Sequence, residues 1–259
     1  MVVNKKRNAQ VTIWIILAIV IVGVIILLFL LKIPQKYFFP SEPNVQLQDC
    51  VKEELSSAIK EVSKRGGSIN PVNAITYKGE KVEYLCYTNQ YYQTCVNQQP
   101  LLKQHVEREI FERIKGKVRS CLDNLKENLK AKGYEVSGKG DISIAIVPNY
   151  VKLTISELNI RKENSKERYD KFVVEERSEI YDLIMLASSI LNWEARYGDS
   201  DITTYMMYYP NIKVEKYKQS DGSKIYILSA RNTKEEFVFA TRSLSWPAGY
   251  GLGLTHKPT

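Results

Sequence analysis

Polarity along the chain is interrupted once and completely. From Val11 through Leu31 there is no charged side chain, and the apolar run VTIWIILAIVIVGVIILLFLLKI continues to Ile33. At a helical rise of about 1.5 Å, the 21 uncharged residues cover about 30 Å, the thickness of a bilayer's hydrocarbon core. A helix is expected there because lipid offers no partners to bare backbone N–H and C=O groups. A cleaved signal has a shorter apolar core followed by small residues, whereas Leu-Leu-Lys-Ile-Pro-Gln ends this one. Residues 11–33 are therefore expected to be a retained transmembrane helix.

After this run the apolar positions recur at helical or strand spacing. A first helix is predicted over Val45–Lys64, with Val45, Leu55, Ala58, Ile59 and Val62 on one face and Gly66-Gly67 as its stop. Strands at Ala74–Lys78 and Lys81–Tyr87 surround Gly79-Glu80. A long helix over Leu101–Lys132 carries one stripe: Leu102, Val106, Ile110, Ile114, Val118, Leu122, Leu125 and Leu129. His105 falls beside the stripe and is expected at its boundary.

The second half alternates. Asp141–Val147 and Tyr150–Leu158 form a hairpin about Pro148-Asn149, and the polar stretch Arg161–Arg168 leads to a strand at Asp170–Arg177. A helix over Ser178–Tyr197 has Ser178 to cap it and Gly198 to end it. A short helix at Asp201–Tyr209 precedes strands at Ile212–Lys218, Ser223–Arg231 and Glu236–Thr241, with a turn at Ser220-Asp221-Gly222.

The fold class is α+β: an N-terminal transmembrane helix, a disulfide-stapled helical and hairpin region, and a β-rich region with packed helices. Residues 1–10 are a basic cytoplasmic N-terminus, 34–44 a Pro- and aromatic-rich juxtamembrane linker, 45–135 the four-cysteine region, 136–245 the second region, and 246–259 a flexible tail.

Charge changes this picture only at the membrane. Lys5, Lys6 and Arg7 precede the apolar run, against Lys32 and Lys36 after it, a bias that puts the N-terminus in the cytoplasm. Tyr37, Phe38 and Phe39 stand where an interfacial aromatic belt would lie. The net charge of +8 does not signal nucleic acid. Residues 1–40 hold five Lys and Arg and no acid, which leaves 32 cations against 29 anions of interleaved sign. The bulk of the chain is expected outside the cytoplasm, with the lipid bilayer as one partner.

Cys50, Cys86, Cys95 and Cys121 all follow the apolar run, and an even count there fits two disulfides. Three pairings are possible. The polar interval between Cys86 and Cys95 suits a closed hairpin, which leaves Cys50 with Cys121, each in a helical stretch. The chain-entropy relation gives the short loop roughly 3 kcal/mol and the long one roughly 4. The C-x8-C spacing is not that of metal ligands, so no metal site and no cofactor are expected.

Candidate chemistry is sparse. Asp199 and Asp201 are two close carboxylates of the kind acid–base work uses, yet they lie between two helices, where capping is their expected role. Asn192, Glu194 and Arg196 surround Trp193 and could form a polar patch, but charged residues of an amphipathic helix are expected to face water. Tyr87, Tyr91 and Tyr92, with Tyr84, cluster at the small cystine loop, and Tyr205, Tyr208 and Tyr209 precede Pro210. Tyrosine supplies rigid amphipathic contact area, so the cystine loop is a candidate recognition element. No nucleophile elbow, phosphate-binding glycine loop or HExxH is present.

The stretch Lys5-Lys6-Arg7-Asn8-Ala9-Gln10-Val11-Thr12-Ile13-Trp14 resembles the start of archaeal proteins bearing class III, type IV pilin-like signals. That resemblance implies cleavage at Ala9–Gln10, with the apolar stretch then serving anchoring or filament assembly. The order of cysteine helix, Gly-Gly stop and cysteine hairpin is also similar to uncharacterised archaeal membrane-anchored proteins. The expected function is a single-pass, membrane-anchored extracytoplasmic binding or structural protein of the cell envelope, of pilin-like type, acting on a protein partner or on copies of itself. The rival is a membrane-tethered hydrolase using the acids near 199–201.

Overall fold

The structure, a computed structural model, describes residues 14–23, 43–162 and 168–244. Residues 14–23 are helical (α1) and belong to a unit separate from the body that starts at Pro43. Among the described residues, no helix is long and apolar enough to cross a membrane. The remainder of the expected span, the basic N-terminus with its Ala9–Gln10 bond, residues 34–42 and the tail from Trp246 lie outside the described residues.

The body is built on two long helices, α2 (Pro43–Lys64) and α3 (Leu102–Ala131). They run antiparallel: Cys50 is bonded to Cys121 near one end, and Arg113 reaches Glu54 and Glu61 further along. All eight stripe residues of α3 are buried, as a 3.6-residue period requires. In α2, Leu55, Ala58, Ile59 and Val62 are buried, but Val45 is 42% exposed. The helix starts at Pro43, because proline's fixed φ suits a first turn, and Val45 rotates away from α3.

Among the described residues, twelve strands make three sheets. The largest contains β1 (Ala74–Tyr77), β2 (Glu80–Tyr87), β3 (Val96–Asn97), β10 (Ile212–Lys218), β11 (Ser223–Ala230) and β12 (Glu236–Arg242). Its order is β1-β2-β12-β11-β10, with β3 also on β2, and only β2–β12 is parallel. The hairpin β5 (Asp141–Val147) and β6 (Tyr150–Ser156) turns at Asn149, whose positive φ fits that turn, and is joined by β9 (Phe172–Arg177). A third sheet holds β4 (Tyr134–Ser137), β7 (Asn159–Lys162) and β8 (Arg168–Tyr169). The alternation missed these last three and β3. Each is four residues or fewer, too short for an apolar period to register.

Two helices complete the body: α4 (Ile180–Tyr197) and α5 (Ile202–Tyr208). Gly198 ends α4 in the left-handed conformation that glycine takes without a Cβ clash, and Ser178 Oγ accepts from Ile180 N at 3.2 Å near its start. One buried cluster joins α2, α3, α4, the β5-β6-β9 sheet and one face of the central sheet, so residues 45–135 and 136–245 share a core. The other face of the central sheet carries a smaller cluster of Val82, Tyr84, Ile225, Ile227, Val238 and Ala240. The edge strands β1 and β10 approach each other through Tyr77 and Tyr217, whose rings lie 6.0 Å apart. The sheet therefore curls over that second cluster and buries β11 on both faces.

Candidate functional site

Strand register builds the most densely charged region of the interior. Lys218 pairs with Lys224, which pairs with Thr241, and in the next row Lys216 pairs with Tyr226, which pairs with Phe239. Side chains two residues apart on a strand share a face, so these rows lie side by side under the C-terminal turn of α4. Glu194, one turn before Gly198, comes down onto them and is completely buried. The expectation that Glu194 would face water is thereby corrected. An amphipathic helix can turn a charge inward when the opposing element supplies a counter-charge, and here β11 supplies it.

The contacts are close. Lys224 Nζ donates to Glu194 Oε2 at 2.7 Å and to the Gly198 carbonyl, and it sits 3.2 Å from Asp199 Oδ1. Tyr226 Oη donates to Glu194 Oε1, and Thr241 Oγ1 donates to Oε2 at 3.4 Å. Lys216 Nζ donates to Asp199 Oδ1 at 2.8 Å and to the Ser200 carbonyl at 2.6 Å, and Lys218 Nζ donates to Oδ2 at 3.0 Å. Burial works against an ionised Asp199, but the Lys216 hydrogen bond, the Lys224 charge and the Lys218 hydrogen bond outweigh it and hold the carboxyl at about 2. Burial, with the Glu194 carboxylate beside it, pushes the Tyr226 phenol up. Ser200 Oγ is buried without a hydrogen-bond partner among the described residues.

Asp201 does not join Asp199. Its Oδ1 accepts from Thr203 N at 2.9 Å and its Oδ2 from Thr204 Oγ1 at 2.7 Å, which makes it the N-cap of α5. One acid is clamped by lysines and the other caps a helix, so the two carboxylates do not converge on a common point.

A second polar cluster lies between α2, α3 and β2. His105 is 8% exposed and is buried with the stripe of α3, deeper than the boundary position expected of it. Arg108 contacts its Nδ1 at 3.0 Å, and because guanidinium can only donate, the ring proton is assigned to Nε2. Nε2–H then donates to Ser68 Oγ at 2.8 Å, and Ser68 Oγ–H donates to Glu83 Oε2. Serine, histidine and acid are all present, but the proton on Nε2 leaves that nitrogen unable to act as a base toward Ser68. Burial, reinforced by Arg108 and opposed by Glu109, holds the His105 pKa down. Burial, with Glu109 adding to it, holds Glu83 up.

The cystine loop divides its tyrosines. Cys86 and Cys95 are bonded, as are Cys50 and Cys121, which are the pairings the spacing favoured. Tyr87 packs edge-on to Tyr84 at 5.2 Å beneath the Arg242 guanidinium. Tyr91 and Tyr92 stand out at 74% and 65% exposure, and Tyr92 adopts a positive φ while its N–H donates to the Leu244 carbonyl at 3.2 Å. Trp193 does not reach this loop's rings; its ring partner is Tyr197, at 4.5 Å. Two adjoining clefts of about 240 and 560 Å³ follow α2 and share Ser56, Lys60 and Glu176, and none of the candidate residues Asp199, Asp201, Tyr87, Tyr91, Tyr92 and Trp193 lines either of them.

Sequence reading missed Lys224 and Lys216. Lys224 alternates in phase with Tyr226, Leu228 and Ala230, so the period-2 pattern of β11 already pointed it inward. No group of three or more His, Cys, Asp or Glu that could hold a metal occurs among the described residues. No protein-family model, curated protein or solved structure matches the chain.

Proposed function

We propose that this chain is a single-pass, membrane-anchored extracytoplasmic protein of the cell envelope that binds a partner or builds surface structure, with a pilin-like N-terminal signal. The observation that carries the reading is the position of the cysteines. All four follow the uncharged run, and all four are oxidised in the body. Disulfides persist outside reducing compartments, which agrees with the basic bias ahead of the run. The exposed Tyr91 and Tyr92, on a loop closed by Cys86–Cys95, are the proposed recognition element.

Two measurements test this. Alkylation of intact cells under non-reducing conditions should leave all four cysteines unlabelled, and four reactive thiols would overturn both topology and function. Mass spectrometry of the native protein should find an N-terminus at Gln10, whereas a chain beginning at Met1 would remove the pilin-like signal from the proposal.

A further inference from the structure

The charged cluster under α4 has the parts of a condensation site. We propose that Lys224 and Glu194 join in an intramolecular isopeptide bond that staples the last turn of α4 to the start of β11. The reacting groups are already in contact, with Nζ 2.7 Å from Oε2, and both are removed from water: the Lys224 side chain is 8% exposed and that of Glu194 is 0% exposed. Groups held at such a distance react as one molecule, without the entropy cost of encounter, and the excluded water cannot compete as a nucleophile. A buried ion pair also retains a desolvation cost that a neutral amide does not.

Tyr226 and Asp199 each have a place in the step. A first proton passes from Nζ to Oε2 along their hydrogen bond, leaving an amine beside a carboxylic acid. The nitrogen lone pair adds to Glu194 Cδ, and the C–N bond forms as negative charge moves onto Oε1. Tyr226 Oη donates its hydrogen bond to that oxygen, as a donor for a developing oxyanion should. Asp199 Oδ1, 3.2 Å from Nζ and kept ionised by Lys216 and Lys218, accepts the second proton and passes it to Oε2. The Cδ–Oε2 bond then breaks and Oε2 leaves as water. The ammonium and carboxylate become one amide and one water, with no change in oxidation state and no cofactor.

This proposal does not depend on the membrane anchor. The test is a peptide map of the full-length protein, denatured and with both disulfides reduced. A branched species should link the peptides carrying residues 194 and 224, lighter by one water than their sum. Lys224→Met should remove the branch, and Tyr226→Phe should slow its formation by about a hundredfold, the usual loss for one oxyanion donor. Separate linear peptides of unreduced mass from the unmodified chain would overturn the proposal, as would a branch that joins Lys224 to Asp199. Because the measurement is made on wild-type protein after denaturation, it does not depend on whether a variant folds.

Discussion

The cluster around Glu194 holds two acids and three lysines under α4, whereas the cluster around His105 passes hydrogen bonds from Arg108 through a neutral ring and a hydroxyl to Glu83. Both satisfy polar groups inside an apolar core, but they do so by different physics. Until the amide forms, the first depends on opposed charges in a medium that screens them poorly. The second depends on directional donors and acceptors, and only its ends carry charge. Removing one member should therefore cost more in the first cluster than in the second.

The largest expected effect follows from Glu194→Ala. Lys224 would keep Asp199 but lose its partner at 2.7 Å while remaining buried. Loss of one side of a buried pair typically costs 3–5 kcal/mol, and the remaining acid places this loss, counted from the chain before the amide forms, at about 3. The double variant Glu194→Leu with Lys224→Met should recover more than half of it, since apolar replacement removes both desolvation costs. Urea unfolding checks this by comparing Glu194→Ala with the double variant, neither of which can form the amide, and equal stability of the two would show that charge burial is not what the network contributes.

His105→Ala should cost less, about 1–3 kcal/mol, the range for leaving a buried hydroxyl short of one partner. Ser68 can still donate to Glu83 when the ring is gone. A loss larger than that of Glu194→Ala would reverse the ranking of the two clusters.

The clusters should also separate by pH. The ordinary histidine value is 6.5, and the folded value of His105 lies below it, so the unfolded chain takes up that proton first. Stability from His105 is complete above 6.5 and falls as pH drops below it. The folded value of Asp199 is about 2 against an ordinary 3.8, so its contribution is present above 3.8 and is lost as pH falls toward 2. Glu83 acts in the opposite sense: its raised value favours the folded state as pH falls toward 4.5. Unfolding free energy against pH should show an acid loss below 3.8 that Asp199→Asn removes and His105→Gln leaves in place.

Neither cluster was legible in the sequence, although much of the fold around them was. Cysteine spacing, the α3 stripe, the Asn149 hairpin and the Asp201 cap are all local signals, readable within a few residues. Glu194 was misplaced because its partner is 30 residues away on another element, and helical period alone cannot see that partner. His105 was misplaced for the same reason: Ser68 is 37 residues distant. Long-range partners, rather than local propensity, decide which charged residues a core accepts.

The smallest expected effect concerns the cystine loop, and it tests whether the exposed tyrosines are there for the fold. Tyr91→Ala should change stability by no more than about 0.5 kcal/mol, as for most exposed positions. Tyr92 is more informative because its φ is 61°, a conformation that costs a side chain roughly 1–2 kcal/mol relative to glycine. Its ring is 65% exposed and returns little of that cost by burial. Tyr92→Gly should therefore leave the unfolding free energy unchanged or raise it by up to about 1 kcal/mol. Strain retained under an exposed aromatic side chain fits a ring held outward for contact with something beyond the chain. A loss of more than about 1 kcal/mol on Tyr92→Gly would mean that the ring supports the loop itself, and the recognition role would fall with it.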